Sequence, residues 1–275
     1  MPNLIKISNK KIGGNNKAFI IAEIGVNHNG DLQLAKKMVI EAKKCGADCV
    51  KFQTYKSDQV VSDKAPKAKY QLKNTSKSET QLKMLSRLEL TRKDFIKLNN
   101  FCLKKNIIFL STPYNKEDVD FLTSIGVKAF KLASMHLTEI DFVNYVVSKN
   151  KPVFISTGMS NLNDIRKTIK KISKNKNKKI ILLQCTTNYP SKIKDSNLNV
   201  LDTFKKNFNY IVGYSDHTMQ DLSCLISIAK GAKVIEKHFT LNKKMKGPDH
   251  SSSFEPHEFK DMVNKIRNVE IILGS

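Results

Sequence analysis

The chain has 275 residues, 40% of them hydrophobic, and a formal net charge of +23, which is long enough to bury one large core. It has no run of about 18 apolar residues, and its first residues lack the apolar segment of a secretory signal. We therefore expect a cytoplasmic protein with no membrane contact. Its five cysteines lie mostly inside apolar runs, which indicates buried free thiols.

The positive charge comes almost entirely from lysine, since only four of the 48 basic residues are arginine. The lysines are spread over every presumed helix, and the dense patch at 170–179 has no interleaved aromatic residues of the kind that single-strand binders use. We predict a solvated surface that helps to gather a small anionic substrate. A nucleic-acid partner is not expected.

The chain begins with a predicted hairpin arm in residues 1–16, and residues 17–275 form the predicted barrel domain. The first core strand is expected at 19–22. Asp31 can then cap a helix that ends at Gly46 and whose predicted buried face is Ala35, Met38, Val39 and Ala42. A second strand is predicted at 49–52. Residues 55–90 form a long polar excursion, and because long loops in compact domains are often functional, this one is a candidate lid.

From residue 91 onward, short apolar strands alternate regularly with amphipathic helices. The further strands are predicted at 107–110, 129–132, 153–155, 179–183, 211–213 and 234–236. Leu222, Leu225, Ile226 and Ala229 indicate one apolar face on the helix between the last two strands. Eight strands, each followed by a helix, predict an α/β fold of the closed (β/α)₈ TIM-barrel type. An open doubly wound sheet is the rival, but the first strand lacks the glycine-rich dinucleotide loop after it.

In such a barrel, side chains at the carboxyl ends of the strands meet at one mouth. These ends carry two lysines and many hydroxyl groups, which suit a phosphate plus a carboxylate. Together with two glutamines, these residues are Lys51, Gln53, Ser111, Thr112, Lys131, Ser134, Ser156, Thr157, Gln184, Thr186, Thr187 and Ser215. The alternatives are structural: either lysine could pair with Glu23 or Glu236, and any hydroxyl could cap a helix.

Two histidines, His217 and His238, follow the seventh and eighth predicted strands. Because neighbouring parallel strands would bring both imidazoles to one edge, we predict that they hold a divalent cation, and imidazole suits Mn²⁺, Zn²⁺ or Fe²⁺ better than Mg²⁺. Glu23 can serve as acid, base or ligand. His257 is expected to be exposed, and the remaining histidines are individually weak candidates.

Nine stretches of the chain, in order and with matching spacing, resemble those of the sialic acid synthases. They are FIIAEIGVNHNGD (19–31), KFQTY (51–55), STP (111–113), FKLAS (130–134), STGM (156–159), CTTNYP (185–190), GYSDHT (213–218), EKHFT (236–240) and GPDH (247–250). This family includes the N-acetylneuraminate, pseudaminate and legionaminate synthases. The resemblance implies a (β/α)₈ barrel and a transferase.

The implied reaction condenses phosphoenolpyruvate with an N-acylated amino sugar, N-acetylmannosamine or a modified trideoxy hexose. Its products are a nine-carbon 2-keto acid and phosphate, formed by metal-assisted C–O cleavage. The implied cofactor is a divalent metal, Mn²⁺ first, with Mg²⁺ and Co²⁺ as alternatives.

The resemblance also assigns roles to residues, one motif at a time. His217 and His238 become metal ligands, and together with Glu23, Lys51 and Lys131 they form the implied catalytic set. The implied phosphoenolpyruvate site is Lys51, Thr112, Lys131, Ser134, Ser156 and Ser215. The implied sugar site is Glu23, Gln53, Asn74, Tyr189 and Asp249, with Asn74 the loosest match.

Two departures from the family pattern bear on function. Family enzymes usually continue into a small antifreeze-like domain that supplies an arginine to the partner of a homodimer. This sequence stops at Ser275, so it works without that domain, or a separate protein supplies it, or the sequence is a fragment. In addition, His136 stands where many relatives carry a carboxylate, and we expect it to contact a different sugar substituent. The competing hypotheses are another phosphoenolpyruvate–aldose synthase and a non-catalytic barrel subunit.

Overall fold

The computed structural model describes residues 4–76 and 78–274. Its centre is a sheet of eight parallel strands: β3 (Phe19–Gly25), β4 (Cys49–Thr54), β5 (Ile108–Pro113), β6 (Phe130–Leu132), β7 (Val153–Ser156), β8 (Ile180–Cys185), β9 (Ile211–Asp216) and β10 (Val234–His238). Their order in the sheet is β5-β4-β3-β10-β9-β8-β7-β6. Strands β5 and β6, at the two ends of this order, lie side by side. The sheet therefore forms a nearly closed (β/α)₈ barrel, which confirms the predicted fold class.

Helices surround the barrel and connect its strands. They are α1 (Leu32–Lys44), α2 (Ser57–Val60), α3 (Lys69–Asn74), α4 (Gln81–Arg87), α5 (Arg92–Lys104), α6 (Lys116–Ser124), α7 (Ile140–Ser148), α8 (Leu162–Ile172), α9 (Val200–Asn207), α10 (Leu222–Ala229) and α11 (Pro256–Leu273). Short 3₁₀ turns lie at Ser134–His136, Ile193–Asp195 and His250–Ser252. Among the described helices, none is long and apolar enough to cross a membrane.

The predicted hairpin arm is present as β1 (Ile5–Ile7) paired antiparallel with β2 (Lys10–Ile12). Its buried isoleucines join the same apolar cluster as the inward-facing side chains of the barrel floor, among them Phe19 and Phe154. The arm therefore packs against the amino-terminal end of the barrel, opposite the carboxyl ends of the strands.

The predicted excursion between β4 and α5 contains the three short helices α2, α3 and α4. Its apolar residues Met84 and Leu88 are buried in a cluster with Val26 and Tyr55. The carbonyl oxygen of Arg87 packs closely on Gly30: a Cβ added to Gly30 would lie 2.6 Å from this oxygen. This packing makes the excursion one wall of the barrel mouth, and its role as a lid stays a prediction.

The start of α1 matches the prediction in detail: the Asp31 side chain accepts hydrogen bonds from the first turn, and the predicted buried face is buried. The predicted face of α10 is wrong. Leu222 and Ile226 are 48% and 44% exposed, and the buried side of α10 carries small polar residues such as Cys224. The reason is that α10 covers the buried ion pair between Asp216 and Lys237. The Cys224 thiol of α10 donates a hydrogen bond to the Asp216 carboxylate of this pair.

Candidate active site

Alternation along the strands decides which side chains enter the barrel, since successive residues of a strand point to opposite faces. In β10, Val234 belongs to the barrel interior and Ile235 to the layer under the helices, so Glu236 and His238 also face the interior. The same alternation directs Glu23 and Lys51 inward. These side chains open into a cavity of about 330 Å³ at the carboxyl ends of the strands, where barrel enzymes hold their substrates.

A buried ionic network forms the cavity floor. Lys51 lies 2.8 Å from Glu23 and 3.8 Å from Glu236, and Lys131 lies 3.2 Å from Glu236. All four side chains are at most 5% exposed. The shift of register between Glu23 and Gly25, where Gly25 has a φ of +54°, lets the backbone pass close to the Glu23 carboxylate. Each lysine is thus paired with a carboxylate, as the structural alternative for Lys51 and Lys131 predicted. Both lysines nevertheless line the cavity.

The network separates the pKa values of its two carboxyl groups. Burial raises the pKa of Glu23 to about 7, against the opposing charge of Lys51. Burial acts on Glu236 in the same direction, but Lys131 and Lys51 outweigh it and hold the pKa of Glu236 at about 2. Glu236 is therefore a fixed negative charge, whereas Glu23 can gain or lose a proton near neutral pH.

Hydroxyl groups surround the two lysines. The Thr112 hydroxyl is 3.4 Å from the Lys51 ammonium, and the Ser215 hydroxyl donates to Glu236 at 3.0 Å. The buried Ser156 hydroxyl has no hydrogen-bond partner among the described residues. The helices α6 and α8 are capped by Asn115 and Asn161, so Thr112 and Ser156 do not serve as their caps. The Thr112 and Ser156 hydroxyls are therefore available to donate to an anion on the lysines, whereas the Ser215 hydroxyl is occupied by Glu236.

The two predicted metal ligands face each other across the cavity, with ring centroids 5.4 Å apart. Two imidazoles that each hold an ion at about 2.1 Å have centroids at most about 6.5 Å apart, so the spacing fits one shared ion. Nδ1 of His217 contacts the Thr186 carbonyl at 2.7 Å, which leaves its other ring nitrogen for a ligand. Nδ1 of His238 is buried and has no partner among the described residues.

In residues 4–76 and 78–274, no group of three or more His, Cys, Asp or Glu side chains could hold a metal ion. A metal on these two imidazoles would therefore complete its coordination shell with water or substrate.

Four of the five residues implied for the sugar line the cavity: Glu23, Gln53, Tyr189 and Asp249. The Tyr189 ring lies against His217, with centroids 4.2 Å apart. Burial raises the pKa of Asp249 to about 6. Asn74 is not among the cavity-lining residues; its amide donates to the Pro248 carbonyl and the Ser251 hydroxyl, so it anchors the excursion to the segment that carries Asp249.

The expected sugar contact of His136 does not fit the structure. His136 is buried outside the cavity lining, packs against Tyr114 and Phe142, and contacts Glu139 at 3.1 Å through Nδ1. Its neighbour Met135 lines the cavity instead. The short 3₁₀ turn at Ser134–His136 explains why Met135 and not His136 reaches the cavity, because three residues per turn send adjacent side chains in different directions.

Sequence reasoning missed several residues of the cavity. The strand ends predict Glu236 at the mouth but give it no role beyond pairing with a lysine, and no pattern points to Tyr70 or Tyr114. Tyr70 comes from the excursion and packs against Tyr189, with ring centroids 5.2 Å apart and the ring planes tilted by 34°. The sequence signals for Glu236 are its position at a strand end and its place at the start of the EKHFT stretch (236–240).

Together, the fold and the site define a (β/α)₈-barrel enzyme whose mouth holds a buried network of lysines and carboxyl groups. The NeuB family model matches residues 38–275. The N,N'-diacetyllegionaminic acid synthases of Legionella pneumophila and Campylobacter jejuni are 44% and 46% identical to this chain. The alignments cover 98% and 94% of this chain, and 78% of each relative.

A crystal structure of N-acetylneuraminic acid synthetase from Leptospira borgpetersenii in complex with citrate superposes with a TM-score of 0.91 and 33% identity. The superposition covers 100% of this chain and 91% of the Leptospira chain. The chain belongs to the NeuB family. It is a transferase of the sialic acid synthase type that acts in carbohydrate biosynthesis.

Proposed function

We propose that this chain condenses phosphoenolpyruvate with an unphosphorylated N-acylated amino sugar, with C–O cleavage and the help of a divalent metal. N-acetylmannosamine or a modified trideoxy hexose is the sugar, and the products are a nine-carbon sialic-acid-type 2-keto acid and phosphate. The observation that carries the proposal is the meeting of two buried lysines, the Thr112 and Ser156 hydroxyls and two neighbouring imidazoles in one cavity. The names of the relatives support the same reaction class.

The charges of the cavity suit this substrate only if a further cation is present. Its lining carries Lys51 and Lys131 against the carboxyl groups of Glu23, Glu236 and Asp249. Phosphoenolpyruvate brings up to about three more negative charges at neutral pH. A divalent ion on His217 and His238 would offset this excess, and Mn²⁺ is the first choice, with Mg²⁺ and Co²⁺ as alternatives. When bound, it would act as a Lewis acid toward the sugar's carbonyl oxygen.

The protein's own residues would hold and orient the two substrates. Lys51 and Lys131, with Thr112, Ser134, Ser156 and Ser215, would bind the phosphate and the carboxylate of phosphoenolpyruvate. Carbon 3 of the enol would then form a bond to the carbonyl carbon of the open-chain sugar, whose oxygen would become a hydroxyl. Water would add to carbon 2, and the bond between carbon 2 and the bridging oxygen would break, so that carbon 2 becomes the keto carbon and phosphate leaves. One proton of the water would end on the new hydroxyl and the other on the departing phosphate. Positioning and fixed charges would supply most of the rate enhancement.

Glu23 is the residue best placed to handle the proton of that water. It is buried beside Lys51, and its pKa of about 7 leaves a substantial share of the carboxylate form at neutral pH. Gln53 lies 3.5 Å from this carboxylate, so water and sugar would approach Glu23 from the same side as Gln53.

The outer cavity favours an unphosphorylated sugar. Apart from Lys51 and Lys131, no lysine or arginine lines the described cavity, so a second phosphate would have no cation to bind. The outer lining is instead apolar and aromatic, as methyl and acyl substituents of a sugar require: Val26, Val60, Val61, Tyr70, Leu85, Tyr114, Met135, Met159 and Tyr189.

The test is phosphate release from phosphoenolpyruvate with Mn²⁺ and a panel of sugars. The panel holds acylated hexosamines, each with and without a 6-phosphate, together with pentose and tetrose phosphates. We expect release with unphosphorylated sugars and a nine-carbon keto acid in the mass spectrum. Release with pentose or tetrose phosphates alone would instead identify another aldose synthase. No release with any sugar would favour the non-catalytic subunit.

A further inference from the structure

Lys237 is a buried cation that lies outside the cavity. Its neighbours Glu236 and His238 face the barrel interior, so Lys237 faces the helices, and it is 1% exposed. Its ammonium donates to the Asp216 carboxylate at 2.5 Å and to the carbonyls of Thr218 and Gln220 at 2.6 and 3.0 Å. All three of its protons are therefore used within the protein, and none is left for a substrate.

The partner carboxylate is equally occupied. Asp216 also accepts hydrogen bonds from the Thr218 amide at 2.9 Å and from the Tyr214 hydroxyl at 3.0 Å. The Cys224 thiol approaches its other oxygen at 3.3 Å. Burying a charged pair costs several kcal/mol unless every donor and acceptor is satisfied, so this arrangement stabilises one geometry of the segment that follows β9.

The position of the pair along the chain connects it to the two imidazoles. The acceptors of Lys237 lie on both sides of His217 in the sequence, and Lys237 itself directly precedes His238. Asp216 and Lys237 are also opposite each other in the ladder between β9 and β10. One ammonium therefore ties the backbone on either side of His217 to the strand that carries His238.

We propose that Lys237 is a positioning residue that sets the spacing of His217 and His238 and thereby the affinity of this chain for its divalent cation. The inference rests on the proposed metal role of the two histidines. It concerns neither the phosphoenolpyruvate site nor the sugar site, because Lys237 touches neither.

The test measures the binding of Mn²⁺ alone by titration calorimetry, with no substrate present, in wild type, Lys237→Met and the double variant Asp216→Asn/Lys237→Met. Removing a nearby positive charge would by itself strengthen cation binding, so weaker binding is the signature of lost positioning. We expect the dissociation constant to rise at least tenfold in both variants. The double variant should regain thermal stability relative to the single one, because it no longer buries an unpaired carboxylate, yet its Mn²⁺ affinity should stay low.

The matched control is Lys243→Met, which removes another lysine near the Phe254 ring that does not contact residues 216–220. Its Mn²⁺ affinity should equal that of wild type. As a spectroscopic check, the visible spectrum of bound Co²⁺ should change in both Lys237 variants and not in the control.

An unchanged affinity in folded Lys237→Met would overturn the inference and leave the proposed function standing. A recovery of affinity together with stability in the double variant would show a purely structural role. Failure of wild type to bind Mn²⁺ would remove both the inference and the metal part of the proposed function.

Discussion

The substitution Glu236→Gln tests the ionic network at the cavity floor. It keeps the size of the side chain and removes the one carboxylate that lies between both lysines, 3.2 Å from Lys131 and 3.8 Å from Lys51. Lys51 retains Glu23, but Lys131 loses its ion-pair partner while it stays buried. An unpaired buried ammonium is costly, so we expect the folded state to lose stability.

The expected loss follows from the pKa of Glu236, which falls from 4.5 to about 2 on folding. At 1.36 kcal/mol per pKa unit, the charged carboxylate contributes about 3 kcal/mol to the free energy of unfolding. Because the folded pKa is lowered, this contribution is complete above about pH 4.5 and is lost as the pH falls toward 2. At pH 3.5 the difference between wild type and variant should be smaller by about 1 kcal/mol.

The assay is urea unfolding of wild type and Glu236→Gln between pH 7 and 3.5. The control is Glu258→Gln, which removes a partly exposed partner of Lys243 and should cost less than about 1 kcal/mol. A loss at pH 7 no larger than that of the control would refute the reasoning. So would a difference that does not change with pH.

Three further results are expected. His217→Ala and His238→Ala should each abolish Mn²⁺-dependent phosphate release while the circular dichroism spectrum stays that of wild type; turnover by metal-stripped His238→Ala would count against the site. The rate of wild type should rise with pH through about 7 as Glu23 ionises, and Glu23→Gln should be at least about 100-fold slower with that rise gone; an unchanged profile would exclude Glu23 as the base. Asn74→Ala should raise the KM for the sugar several-fold and leave the KM for phosphoenolpyruvate unchanged, because it frees the excursion from the segment that carries Asp249; equal KM values for the sugar would show that this anchor is dispensable.

Local signals in the sequence were enough for much of the fold. The capping residue Asp31 and the period of the apolar residues predicted α1 correctly, and the eight alternating units predicted the barrel. These features depend on neighbours within a few turns, which a single sequence displays.

The features that sequence reasoning missed depend on distant contacts. The polar face of α10 follows from an ion pair between Asp216 and Lys237, two residues on different strands. Asn74 bonds a carbonyl 174 positions away, and the place of Glu236 between two lysines requires three strands to be in register. The periodic pattern of a single segment cannot predict contacts between residues that lie this far apart in the sequence.

The most direct measurement of the central claim uses phosphoenolpyruvate labelled with ¹⁸O in its bridging oxygen. The enzyme is supplied with Mn²⁺ and the best acylated hexosamine, and the released phosphate is weighed by mass spectrometry. We expect the label in the phosphate, because cleavage of the C–O bond sends the bridging oxygen with the leaving group, alongside an unlabelled nine-carbon keto acid. Label retained in the organic product, or phosphate release that does not require the sugar, would contradict the account.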